Sequence, residues 1–276
     1  THLYADPGNT ACSRDQNVAA DLSLQWFGRP GPERLLDRHH RSVSPLYKNG
    51  LLFIPGNERI FGVDGYNGTV LWETEVPESR RIAIMRDCGS MAVDDDFIYV
   101  ASGRHCLALK VRTGEVDRRV SIPEKNLASS HEWGYVAKVG DFLIGSAVQK
   151  GGIRRQHGHE GIRETYWDNR PPVCSEFLFA IDPKSGKAQW TYKPRQNGVL
   201  VNSSLAIDAG KVHFLESPLP ADKGRLPYDK ILAKSKGFIV TLDLATGKFI
   251  RREQLPAKSS VQNLYVVATK GIVAVV

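Results

Sequence analysis

Residues 61–72 read FGVDGYNGTVLW: an apolar strand, an aspartate, a tight turn carrying Asn67-Gly68, and a second strand closing on Trp72. The same grammar returns at residues 179–190, FAIDPKSGKAQW. Looser copies stand at residues 107–118 (LALKVRTGEVDR) and 240–251 (VTLDLATGKFIR). A hairpin written four times, at spacings much longer than itself, marks a repeat protein.

The turn glycines are Gly68, Gly114, Gly186 and Gly247, at intervals of 46, 72 and 61. A second landmark precedes each copy: an apolar strand, a polar turn and another apolar strand. Its turns fall near Gly50, Asp95, Gly140, Gly210 and Lys270. Both landmarks give a period of about 45 residues with two insertions, the length and content of a four-stranded propeller blade. In the first blade the strands are expected at 43–47 (A), 51–54 (B), 59–63 (C) and 69–73 (D). Asn49-Gly50 and Asn67-Gly68 supply the positive φ angles that tight hairpins need. The fold class is therefore all-β, a β-propeller. Blades are expected at about 41–76, 87–121, 131–194 and 202–254, with a partial blade at 262–276. Residues 22–27, LSLQWF, resemble a D strand without its own A, B and C, an orphan strand of the kind that closes a propeller's last blade. At this period a propeller closes with seven or eight blades, so more chain, or a second chain, is expected to cover the edge after Val276.

The 276 residues are 41% hydrophobic and 24% charged, enough for a large core and against disorder. A formal charge of +7 is spread along the chain without a basic tract, so nucleic acid is not the expected partner. No apolar run is long enough for a membrane span. Cys12, Cys88, Cys106 and Cys174 include no CxxC or CxxCH, which argues against a structural zinc site, a thioredoxin motif and attached haem. Their disulfide state stays open.

Two insertions, residues 149–176 and 216–236, both fall between strands B and C, on adjacent blades. B–C and D–A connections share one end of a propeller, so both decorate one face, where a rigid scaffold usually carries function. At that end each A strand begins with a polar pair: Arg41-Ser42, Asp87-Cys88, His131-Glu132, Asn202-Ser203 and Gln262-Asn263. These line a hydrated channel or converge on a small-molecule or sugar site. The candidate ligand-binding residues are Arg41, Asp87, His131, Glu132, Asn202 and Gln262, roofed by Trp167. Trp133 reads as packing. His157 and His159 in a Gly-rich loop are weak metal candidates, more simply a polar loop. The Asp94-Asp95-Asp96 run reads as a solvated hairpin tip.

The A-x-D-x-x-T/S-G-x-x-x-W pattern of residues 179–190, with its near match at 61–72, resembles the PQQ-type quinoprotein propeller repeat. The resemblance covers nearly the whole chain from Leu22. It implies that Trp72 and Trp190 dock between neighbouring blades, that turn glycines such as Gly68 and Gly186 receive the indoles, and that Asp64 and Asp182 stabilise the turns. The second copy has Lys110 and Arg118 where the repeat has Asp and Trp; the fourth has Arg251 for Trp. The superfamily holds PQQ-dependent dehydrogenases and non-catalytic propellers such as BamB, typically extracytoplasmic. Such a dehydrogenase is expected to carry adjacent cysteines and carboxylates for calcium; no Cys-Cys pair occurs here. The resemblance thus implies a non-catalytic, periplasmic or otherwise extracytoplasmic scaffold with no cofactor. It would bind a protein or carbohydrate partner on the insertion-bearing face. The alternatives are a PQQ- and calcium-dependent oxidoreductase with part of its site outside this chain, and a metal enzyme built on the His157 loop.

Overall fold

In the computed structural model, residues 1–13, 16–17, 23–31, 34–35, 43–82, 84–123, 129–155, 170–233, 236–256 and 264–276 are described. Four antiparallel units follow one another. The first is β1 (Leu46–Lys48), β2 (Leu51–Gly56), β3 (Arg59–Asp64) and β4 (Val70–Glu75); the second is β5 (Met91–Val93), β6 (Phe97–Ser102), β7 (His105–Lys110) and β8 (Val116–Ser121). Each pairs in simple sequence order. The third unit is β9 (His131–Val139), β10 (Phe142–Gln149), β11 (Cys174–Ile181) and β12 (Ala188–Tyr192). The fourth is β14 (Ala206–Asp208), β15 (Lys211–Ser217), β16 (Phe238–Asp243) and β17 (Phe249–Gln254), and a last hairpin is β18 (Val266–Thr269) with β19 (Ile272–Val275). These are the A-to-D strands of propeller blades.

The blades pack face to face, as stacked sheets do. Phe53, Trp72, Met91, Ile98 and Leu107 fill the joint between the first two. Tyr99, Trp133, Val136, Leu143 and Phe179 fill the next, and Ile144, Leu178, Trp190, Ile207 and Phe214 the third. A central strand buried on both faces has no polar side, which is why B and C strands such as FLIGSAV and FLFAI read as apolar runs. Trp133 is fully buried, edge-on to Phe179 at 5.1 Å, over Gly145.

Two features depart from the four-strand plan. A short strand, β13 (Val199–Val201), lies in the D–A connection of the third and fourth blades. It pairs with β11 through Cys174↔Val201 and with β15 through Val199↔Ser217, merging both blades into a nine-stranded sheet. The second departure concerns the expected orphan strand. Among the described residues, 23–27 form no strand. Trp26 alone behaves as a D-strand residue: its ring covers Gly68 and its Nε1 donates to Gly65 O at 3.1 Å.

All four cysteines are free thiols, Cys12 exposed and the others buried. Among the described residues no helix is long and apolar enough to cross a membrane.

Candidate functional site

The rim shows how the repeat positions everything else. Asp64 accepts hydrogen bonds from the amides of Tyr66 and Asn67, at 2.8 and 3.1 Å. Asp182 accepts from Lys184 N and Ser185 Oγ, and its carboxyl is held below the usual range chiefly by the Ser185 hydroxyl. Each turn then offers the carbonyl one residue past that aspartate position to the preceding blade. Trp72 Nε1 donates to Val111 O at 2.9 Å with its ring on Gly114; Trp190 Nε1 donates to Leu244 O at 2.8 Å with its ring on Gly247. Arg118, at the tryptophan position, donates from Nη1 to Pro183 O at 3.1 Å. Among the described residues no side chain covers Gly186, and the guanidinium lies instead 4.8 Å over the Phe97 ring. The sequence pattern singled out Trp72 and Trp190 but missed Trp26 and Arg118 in this role; their signal was position alone.

At the opposite end the connections interlock into a cap. Ile82 N donates to Arg154 O, Val173 N to Arg86 O, Asn202 N to Val173 O and Cys174 N to Gly224 O. Arg225 donates from Nε to Gly152 O and from Nη2 to Gly151 O. The described parts of both B–C insertions therefore sit together with the D–A connections. The second insertion folds back on its own blade through Leu226, Tyr228, Ile231 and Leu232.

Among the described residues, the polar pairs predicted at the A-strand starts border separate spaces rather than one cavity. Asp87 is 1% exposed, and its Oδ1 takes Arg81 Nη1 at 3.3 Å. The same guanidinium donates from Nη2 to Trp133 O at 2.5 Å, tying the second blade's entry to the third blade. Cys88 beside it is buried, and burial first, then the Asp87 carboxylate, pushes its thiol well above the ordinary range. Glu132 is 4% exposed; its Oε2 takes Arg155 Nη1 at 2.6 Å and its Oε1 accepts from the amides of Gly151 and Ile153. Asn202 Oδ1 lies 2.6 Å from Ser175 Oγ, which lies 2.8 Å from Ser146 Oγ, a buried polar chain across the third blade. His131 bonds Ser130 and Glu176 at 2.8 and 3.0 Å and lines, with Glu132, a lateral cleft of about 260 Å³. Asn202 and Cys88 border a separate axial cavity of about 20 Å³, room for one water. Arg41, Gln262, Trp167, His157 and His159 lie outside the described residues.

The axis is filled from within, which the sequence did not suggest. The N-terminal segment touches the inner strand of four blades: Thr1 O accepts from Val93 N, His2 Nε2 from Lys138 N, Pro7 O from Ile207 N and Gly8 O from Ala268 N. Asn9 Nδ2 donates to both Leu205 O and Val266 O. Its composition, Asp6-Pro7-Gly8-Asn9, reads as a loop because its partners are backbone groups far away in sequence.

The family profile described as outer membrane protein assembly factor BamB matches residues 10–153, just over half of the chain. The chain belongs to this PQQ-type propeller family. No curated protein matches this BamB-like chain in sequence. Among solved structures it is similar to a quinohemoprotein alcohol dehydrogenase from Pseudomonas putida, at 16% identity and a TM-score of 0.53, over 92% of this chain and 40% of that one. The corresponding dehydrogenase from Comamonas testosteroni gives 15% and 0.51, over 86% and 39%. BamB from Moraxella catarrhalis gives 14% and 0.40, over 85% and 72%. At these identities the likeness concerns the fold, and the chain spans about two fifths of the dehydrogenases' length.

The fold family raises the question of PQQ and calcium. Calcium takes six to eight oxygen ligands. Among the described residues no group of three His, Cys, Asp or Glu side chains gathers. Asp87 and Glu132, at the starts of the second and third A strands, are each held by an arginine. Among the described residues, this donor set does not fit a quinone–calcium site.

Proposed function

We propose that this BamB-like propeller is an extracytoplasmic binding scaffold that holds a protein or carbohydrate partner on its insertion-bearing face, without quinoprotein chemistry of its own. One observation carries the reading: at the end of the axis, polar side chains are spent on building a cap. Arg81 holds Asp87, Arg155 holds Glu132, and the N-terminal segment occupies the axis. Among the described residues, that end joins Gly151–Arg154 of the first insertion to Gly224 and Arg225 of the second, a scaffold of the kind that presents binding loops. The family's description as an outer-membrane assembly factor favours a protein over a carbohydrate.

Two measurements test this. Photo-crosslinkers are placed at exposed Lys223 on the cap and at exposed Lys184 on the opposite face. Partner adducts are expected from position 223 only; adducts confined to position 184 would move the interface to the other face. The protein is also incubated with PQQ and Ca²⁺ and assayed for dye-linked alcohol oxidation. Alcohol-dependent dye reduction would replace the scaffold reading with an oxidoreductase.

A further inference from the structure

The joint between the second and third blades departs from its neighbours. At the rim Trp26 covers Gly68, Trp72 covers Gly114 and Trp190 covers Gly247, whereas among the described residues nothing covers Gly186. Gly114 is buried under its indole and Gly186 is exposed. Arg118 reaches Pro183 O in place of an indole, and both residues line a cleft of about 910 Å³ that opens beside this contact. That is room for a small organic ligand.

Each wall of the cleft brings the same dipeptide. Asp96-Phe97 comes from the second blade and Asp141-Phe142 from the third, one repeat period apart at the A–B turns. The corresponding residues are Gly50-Leu51 in the first blade and Gly210-Lys211 in the fourth, so the pair marks the two blades that flank the cleft. Both aspartates are exposed and both phenylalanines half-buried.

The charges around the cleft are unevenly used. Lys138 lies 3.6 Å from Asp94, Arg118 is paired with Asp117 at 2.5 Å, and Asp182 is taken by its own turn through Ser185 Oγ at 2.7 Å. Among the described residues no hydrogen bond or ion pair takes up the carboxylates of Asp96 and Asp141, against one further cation in the lining, Lys184. In a chain of formal charge +7 this cleft therefore favours a cation. The Arg118 guanidinium, 4.8 Å over the Phe97 ring, shows that a cation and an aromatic face already meet in it.

We propose that the cleft binds a small aromatic amine. Its planar ring sits beside Phe142 and Pro183, in a joint that lacks the indole carried by its neighbours, and its ammonium is held by Asp96 and Asp141. The ring gains apolar burial and aromatic contact, and the ammonium gains charge-assisted hydrogen bonds to carboxylates that only accept. The turns that form the site stand at the end of the blades away from the cap, so its occupancy does not compete with a partner held there.

The test titrates tryptamine into the full chain by isothermal calorimetry, and one saturable site per chain is expected. Indolepropionate, with a carboxylate in place of the ammonium, and butylamine, without the ring, are each expected to bind at least about 10-fold more weakly. Asp96→Asn combined with Asp141→Asn is expected to weaken tryptamine about 10-fold or more, without moving the melting transition, since both side chains are exposed. Arg118→Trp is expected to abolish binding in folded protein by placing the chain's own indole in the joint. The proposal is overturned by folded wild-type protein with no saturable tryptamine binding, by equal affinity for indolepropionate or butylamine, or by an affinity unchanged in the double variant or in Arg118→Trp.

Discussion

Each indole on the rim works because its partner is a glycine, and the two glycine classes separate cleanly. Gly114 has φ +70°, and a Cβ added there would lie 2.4 Å from the Trp72 ring. Gly186 has φ +69°, and a Cβ added there would meet no atom of the described residues within 4 Å. Gly186→Ala therefore bears only the left-handed backbone cost, about 1 kcal/mol. Gly114→Ala also displaces the docked indole and is expected to cost more than about 3 kcal/mol by urea unfolding. Equal costs for the two variants would contradict the docking account. The bare Gly186 also invites a repair. Arg118→Trp is expected to cover it and to stabilise by about 1 kcal/mol, read as a higher melting midpoint. At this scale the sequence was readable where the repeat is complete, as at Trp72 and Trp190. Arg118 was legible only as a deviation, because a guanidinium meets the same carbonyl by different chemistry.

Among the elements, the N-terminal segment makes stability depend on pH. His2 is buried, and its Nε2 must stay unprotonated to accept from Lys138 N. Burial, above all, lowers its pKa from 6.5 to about 3. The unfolded chain therefore binds a proton between those values that the folded chain does not. Stability is full above about pH 6.5 and falls as the pH drops toward 3, with a slope of at most about 1.4 kcal/mol per pH unit from this group. His213, lowered to about 4 mainly by burial, acts in the same direction. Urea midpoints at pH 7, 5.5 and 4.5 check this, and His2→Gln is expected to remove the larger share of the decline. The strands were legible because alternation and turn residues are local signals. The segment at the axis and β13 were not, since both are held by backbone partners supplied from distant blades.

For the whole molecule, repeat period and insertion placement were enough to reach a propeller with one decorated end. The cap's use of its charges was beyond sequence reading: Asp87 and Glu132 look like free ligands until Arg81 and Arg155, one on a connection and one on an insertion, arrive in space. The nine-stranded sheet bears on how the molecule comes apart. Local opening follows cooperative units bounded by where backbone pairing stops. Hydrogen exchange is expected to release amides of the third and fourth blades together, and those of the first two separately. Staggered exchange of the third and fourth would show that β13 does not couple them. The same tie distributes stiffness unevenly around the ring. Blades three and four are joined by backbone pairing through β13, whereas blades two and three meet at a rim where an arginine replaces the indole beside a cleft of about 910 Å³. Bending imposed by a bound partner should therefore concentrate at that joint, making it the compliant seam of an otherwise rigid wheel.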